Sequence, residues 1–113
     1  MRIPTAVCTG LLAAAAALPQ SQSFTGEIMD TPCAAMQSHA KMMQGMGAKN
    51  AADCTEKCVR AGGRYALFDA STKTTYLLDN AGKAAAFAGQ KVIVKGTYDA
   101  ASKMIHLESL GPR

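Results

Sequence analysis

The chain has 113 residues, which is enough for one domain with a modest hydrophobic core. Its 12 Lys and Arg residues against 8 Asp and Glu give a net charge of +4, and these charges are scattered singly along the sequence. That distribution argues against a nucleic-acid-binding face, which would need a basic patch or stripe. With three Phe, three Tyr and no Trp, a broad aromatic recognition surface is not expected either.

The first residues have the features of a secretory signal peptide. Arg2 provides a positive n-region, and the alanine-rich stretch 11–18 provides an apolar h-region. Ser23 ends a small-residue cleavage motif, which predicts a signal peptide over 1–23 and a mature domain over 24–113. A retained N-terminal anchor is the competing interpretation, although the apolar stretch is shorter than the roughly 20 residues that span a bilayer.

The mature chain is therefore predicted to be periplasmic or secreted, with no membrane attachment after cleavage and no nucleic-acid partner. Cys8 is expected to be removed with the signal, because residues 5–7 do not form a lipidation motif. The sequence gives no indication of the oligomeric state.

A strand followed by a helix is predicted at the start of the mature domain. Residues 24–29 alternate in hydrophobicity, which is typical of a strand. Thr31 is then a suitable N-cap, and Pro32 suits the first helical position. Residues 33–44 are strong helix formers, so the sequence predicts one helix over this range.

A second, shorter helix follows, and the remainder of the chain is predicted to be β-rich. Asp53 and Glu56 have capping-box spacing, and Gly62-Gly63 ends the helix. Beyond it the hydrophobic period changes to two. Further strands are predicted over 65–68, 75–78, 91–98 and 104–110, with a short helix between the second and third of these four.

Five strands with a short helix between the third and fourth match the order of an OB-like barrel, which is a five-stranded, partly open Greek-key closure. The fold class is therefore mostly β with short helices. Residues 31–63 would form a helical Cys/Met/His insertion between strands 1 and 2. A two-sheet roll of the same strands is the alternative.

The mature domain has three cysteines, Cys33, Cys54 and Cys58, and an odd number cannot all pair within one chain. Cys54 and Cys58 lie four positions apart on a predicted helix and share one face. Together with His39 these residues form a Cys3His set, which suits tetrahedral zinc, while soft thiolates also suit copper(I). The same cysteines could equally form a disulfide framework, with Cys33 joined to Cys54 or Cys58.

The spacing of Cys33 and His39 sets a geometric condition on this metal site. On a straight helix, residues six apart differ by about 120° in direction, so both can reach one ion only if the helix bends between them. Because Cys33 lies in a first helical turn, its thiol pKa is expected to be lowered. Asp30 is interpreted as a turn or capping residue that could also orient a metal ligand.

Four methionines accompany His39 between residues 36 and 46. Thioethers and an imidazole select for copper(I), whereas methionines at helical spacing are also common core filler, and the sequence leaves both interpretations open. The methionines are Met36, Met42, Met43 and Met46.

His106 is predicted to lie on the solvent side of the last strand, without a functional role.

A set of short motifs runs through nearly the whole mature chain: Gly26-x-Ile28-x-Asp30-x-x-Cys33, His39, Cys54-x-x-x-Cys58-Val59-x-x-Gly62, Tyr65-Ala66-Leu67, Tyr76-x-Leu78, Phe87-Ala88-Gly89-Gln90-Lys91-Val92, Val94-x-Gly96-Thr97 and Ile105. With these motifs the chain resembles a family of small exported bacterial proteins with an uncharacterised domain. The resemblance implies a signal peptide, an OB-like barrel and a Cys/His-bearing insertion, and it implies no particular activity.

The sequence favours two functions over a thiol redox or partner-linked role for the unpaired cysteine. The first is an exported protein that binds a thiophilic metal ion, zinc or copper, through Cys33, His39, Cys54 and Cys58. The second is a disulfide-stapled OB-like binding module without metal. No nucleophile–base pair, carboxylate dyad, phosphate loop or Cys-x-x-Cys motif is present, so an enzyme is not predicted.

Overall fold

The computed structural model describes residues 20–113 and is mostly β with four short helices in this range. The predicted signal peptide lies outside these residues except for its last four positions, and it stays a prediction. The five predicted strands and the short helix α4 are confirmed, each strand being slightly longer than predicted. The strands are β1 Gln22–Asp30, β2 Tyr65–Asp69, β3 Thr74–Leu78, β4 Lys91–Asp99 and β5 Met104–Pro112, and α4 is Ala81–Ala85.

The five strands form one closed ring in the order β1-β2-β3-β5-β4. β1 closes the ring because its first half pairs with β4 and its second half with β2, both antiparallel. β3 and β5 form the parallel pair among the described strands. The inward side chains alternate with outward ones, as β4 shows most clearly. The buried hydrophobic core of the ring contains Ile28, Leu67, Leu78, Ala84, Val92, Val94 and Ile105.

Three helices lie between β1 and β2 in the chain. They are α1 Thr31–Met36, α2 Ala40–Met46 and α3 Ala51–Arg60. The prediction of one helix over 33–44 is wrong, because Gln37 adopts a left-handed conformation with φ of 59° and ends α1. The backbone N–H of Ser38 then donates to Cys33 O, which closes α1. His39 becomes the N-cap of α2.

Both predicted helix starts are shifted toward the N-terminus. Asp30, rather than Thr31, caps α1, and Pro32 occupies the first turn as predicted. Asn50, rather than Asp53, caps α3 by accepting a hydrogen bond from Asp53 N at 2.9 Å. The Asp53 carboxylate in turn accepts from Lys49 N, so the reciprocal capping pair sits three residues earlier than expected.

The three helices cover one end of the ring and enclose a second hydrophobic cluster. Its buried members are Met29, Cys33, Ala34, Cys54, Cys58 and Phe68. Gly89, which follows α4, fixes the start of α3 against the ring: its φ is +75°, and a Cβ there would lie 2.4 Å from Ala52 N. Among residues 20–113, no helix is long and apolar enough to cross a membrane.

Candidate metal centre

Asp30 is the last residue of β1 and the starting point of the site. Its Oδ2 accepts a hydrogen bond from Cys33 N at 2.9 Å, which caps α1 and fixes the carboxylate at the helix start. The residue is fully buried. Its Oδ1 has no hydrogen-bond partner among the described residues. A buried carboxylate oxygen without a partner is costly, so this atom needs an explanation.

Cys33 and Cys54 bring their sulfur atoms together from two different helices. Their Sγ atoms are 3.6 Å apart, and both residues are fully buried. A disulfide would need about 2.05 Å, and the three cysteines that the structure describes are free thiols. Two sulfurs bound at about 2.3 Å to one tetrahedral ion lie about 3.8 Å apart. The observed separation is therefore close to that of two ligands of one ion.

Because α1 ends at Gln37, the chain turns and brings His39 back toward Cys33. The six-residue spacing of Cys33 and His39 requires such a break if both are to reach one ion. His39 Nε2 lies 2.5 Å from Glu27 Oε2. Its other ring nitrogen, Nδ1, is buried and has no hydrogen-bond partner among residues 20–113. A carboxylate on one ring nitrogen fixes the tautomer and leaves the other free to coordinate, as in most protein-bound metal sites with His.

Four donor groups, from Asp30, Cys33, His39 and Cys54, lie within 4.8 Å of one another. Of the four predicted ligands, the structure thus brings three together and adds Asp30. Cys58 lies outside this group of four, and its Sγ instead contacts Met46 Sδ at 3.3 Å. The signal for Asp30 was its position directly before the Thr-Pro helix start, where a capping carboxylate comes close to the first-turn cysteine.

Burial raises the pKa values of the Cys33 and Cys58 thiols, contrary to the lowered value expected for Cys33. The loss of solvent is the largest cause for Cys33, and the neighbouring Asp30 and Cys54 groups raise its pKa further. Burial likewise raises the pKa of Cys58 to about 11, with Asp30 and Cys54 adding to the effect. The helix start does not lower the Cys33 pKa because the Asp30 carboxylate occupies it.

The raised thiol pKa values predict that the metal-free domain loses stability at alkaline pH. In the unfolded chain these two cysteines ionise near 9.0, but in the folded domain Cys33 and Cys58 stay protonated to higher pH. Above pH 9 the unfolded chain therefore binds fewer protons than the folded domain. The free energy of unfolding of the domain should then fall by up to about 1.4 kcal/mol per pH unit for each of these thiols. Urea unfolding of the reduced, metal-free chain at pH 8, 9 and 10 measures this fall, and Cys58→Ala should make it shallower. Equal slopes in both proteins would contradict the prediction.

The methionines divide between packing and exposure. Met42, Met43 and Met46 are partly buried and pack against the cysteine cluster, as core filler would. Met36 is 39% exposed. His106 is exposed as predicted, and its Nδ1 lies 3.0 Å from Asp79 Oδ2. This ion pair was not predicted and lies on the ring.

Comparisons with known proteins do not assign a class to this site, so its class is argued from its geometry. No protein-family model, curated protein or solved structure matches the chain. The described residues define a small, mostly β domain with a buried group of Asp, Cys and His donors that is compatible with a metal ion.

Proposed function

We propose that this protein binds one thiophilic metal ion, zinc or copper, through Asp30, Cys33, His39 and Cys54. The observation that carries the proposal is the convergence of these four donors within 4.8 Å in a buried place. They come from four separate places in the chain: the end of β1, α1, the start of α2 and α3. Such convergence does not follow from the local sequence of any one helix.

The unpartnered polar atoms support an ion at this position. Asp30 Oδ1 and His39 Nδ1 are both buried without a hydrogen-bond partner within the described part of the chain. An ion between them would satisfy both atoms, which otherwise cost about 1–3 kcal/mol each. The Glu27 carboxylate on His39 Nε2 supports the same interpretation, because it leaves Nδ1 as the coordinating nitrogen.

The donor chemistry limits the kind of ion. Two thiolates, one imidazole and one carboxylate provide the four ligands of tetrahedral zinc, and the thiolates also suit copper(I). These donors do not suit calcium or magnesium, which take oxygen ligands. With all four positions filled by protein, the ion would be held rather than used for catalysis, so we propose a non-enzymatic role in sequestering, carrying or sensing it.

In this proposal the protein is an OB-like domain, and its helical insertion between β1 and β2 carries three of the four ligands. The ring order β1-β2-β3-β5-β4 and the helix between β3 and β4 support this. The predicted signal peptide and the resemblance to exported bacterial proteins support a location in the periplasm or outside the cell as part of this proposal. An ion or an unidentified ligand is the partner we propose there.

A disulfide between Cys33 and Cys54 is the second candidate, favoured by their 3.6 Å separation. Oxidation of the pair would close a loop and stabilise the domain by about 3 kcal/mol. It would also remove two of the four donors. The sulfur atoms of Cys33 and Cys54 therefore cannot bind the ion and form the disulfide at the same time. An oxidising compartment would favour the disulfide-stapled module.

Metal content and thiol count, measured on one sample of the mature chain, test the proposal. The reduced, metal-stripped protein should bind one Zn(II) per chain in competition with a chromophoric chelator. Oxidation to the disulfide should leave one reactive thiol per chain and abolish binding, and reduction should restore it. If the reduced protein takes up less than about 0.2 ion per chain at saturating metal, the metal proposal is contradicted and the stapled module is supported.

A further inference from the structure

Cys58 and Met46 form a second sulfur pair beside the proposed centre. Cys58 Sγ lies 3.3 Å from Met46 Sδ, and Cys58 is 2% exposed. Met46 is the last residue of α2 and is partly buried. The proposed zinc or copper centre uses neither residue, although both belong to the buried cysteine cluster or pack against it.

This sulfur pair lies at an opening to solvent. Cys58, Met42 and Met46 line a surface depression together with Pro32 and Gly63. The four-donor group lies deeper, with Cys33, Cys54 and Asp30 each fully buried. Cys58 follows Cys54 by one turn on α3, so it stands between the depression and the inner sulfurs. Met42 and Met46 are partly buried, whereas Cys58 is 2% exposed, so the two thioether residues are the more accessible members of this lining.

The chemistry of the pair selects one kind of ion. A thioether is a soft, neutral ligand that binds copper(I) well, whereas zinc sites in proteins use Cys, His, Asp and Glu. We propose that Met46 and Cys58 are an outer capture site for Cu(I), through which the ion passes to Cys54 and Cys33. Binding displaces the Cys58 thiol proton to solvent and leaves copper in the same oxidation state. This inference rests on the proposed metal function and narrows its ion to copper.

The test compares the rates at which Cu(I) enters three proteins. Cu(I) is supplied as its bathocuproine disulfonate complex to reduced, metal-free protein, and the loss of the dye's absorbance is followed by stopped flow. Met46→Leu keeps the side-chain volume but removes the sulfur, and Met36→Leu is the matched control at an exposed position. Uptake should slow at least tenfold in Met46→Leu and stay unchanged in Met36→Leu. The affinity for Zn(II) should stay within twofold in both variants, which also shows that they fold.

Each outcome separates this inference from the function on which it rests. Uptake by Met46→Leu at the wild-type rate overturns the capture site, whatever the final copper content. Wild-type protein that binds Zn(II) but takes no Cu(I) also overturns it and leaves the metal proposal standing. Wild-type protein that binds neither ion overturns both.

Discussion

The Cys54→Ala variant is expected to lose Zn(II) affinity by roughly a hundredfold or more. A structural zinc site contributes about 10–16 kcal/mol, so one of four ligands accounts for about 3 kcal/mol on average. Cys54 is fully buried, and its Sγ lies 3.6 Å from Cys33 Sγ, so the alanine variant leaves the group with one thiol and with a methyl group that cannot coordinate. Competition titration of reduced protein with a chromophoric zinc chelator measures the loss.

Cys58→Ala is the matched control, because it removes a buried thiol from the same helix one turn further on. Cys58 lies outside the group of four donors, so the Zn(II) affinity of this variant should stay within a few-fold of wild type. Thermal unfolding of both metal-free variants should show similar small losses of stability. Equal losses of affinity in the two variants would contradict the ligand assignment and return Cys58 to the ligand set that the sequence predicted.

Gly89→Ala is expected to cause a large loss of stability through a single added methyl group. A Cβ at this position would lie 2.4 Å from Ala52 N and 2.7 Å from Ala51 C, both backbone atoms at the start of α3. The left-handed φ of +75° adds a conformational cost of about 1 kcal/mol for alanine. With overpacking, we expect a loss of roughly 2–5 kcal/mol, and a melting temperature lower by about 10 °C or more.

The same change should weaken metal binding, because α3 carries Cys54 and must move to accommodate the methyl group. Gly111→Ala is the control: it places a methyl group in β5 with nothing within 4 Å and should change the melting temperature little. Thermal unfolding followed by circular dichroism, with and without Zn(II), measures both effects. A Gly89→Ala variant as stable as Gly111→Ala would show that α3 does not pack against the ring at this point.

The strands were predictable because their signal is local. In β4, Val92 and Val94 alternate with the exposed residues Lys91, Ile93 and Lys95, and the structure buries these two valines in the ring. The turns around residues 70–73 and 100–103 have the polar composition that ends strands. Each strand and each turn is set by a few neighbouring residues, so the five strands and their order along the chain could be predicted from the sequence alone.

The donor group was only partly predictable because it depends on contacts between distant residues. Residues 33–44 all favour a helix, and the break at Gln37 accompanies the contact of His39 with Glu27, twelve positions earlier. Similarly, the i,i+4 spacing placed Cys54 and Cys58 on one buried face, as observed, but did not show that they have different partners. Asp30 had the sequence signal of a capping residue, and its burial arises from the helices packed over the end of β1.

The strand that closes the ring also supplies two of the acidic groups around the donors. β1 pairs with β2 on one side and β4 on the other, and it contains both Glu27 and Asp30. Peeling β1 away would therefore open the sheet and dismantle the coordination sphere in a single cooperative event. It follows that occupancy by an ion would protect the amide hydrogens of β1 against exchange along the whole strand, well beyond the residues that touch it.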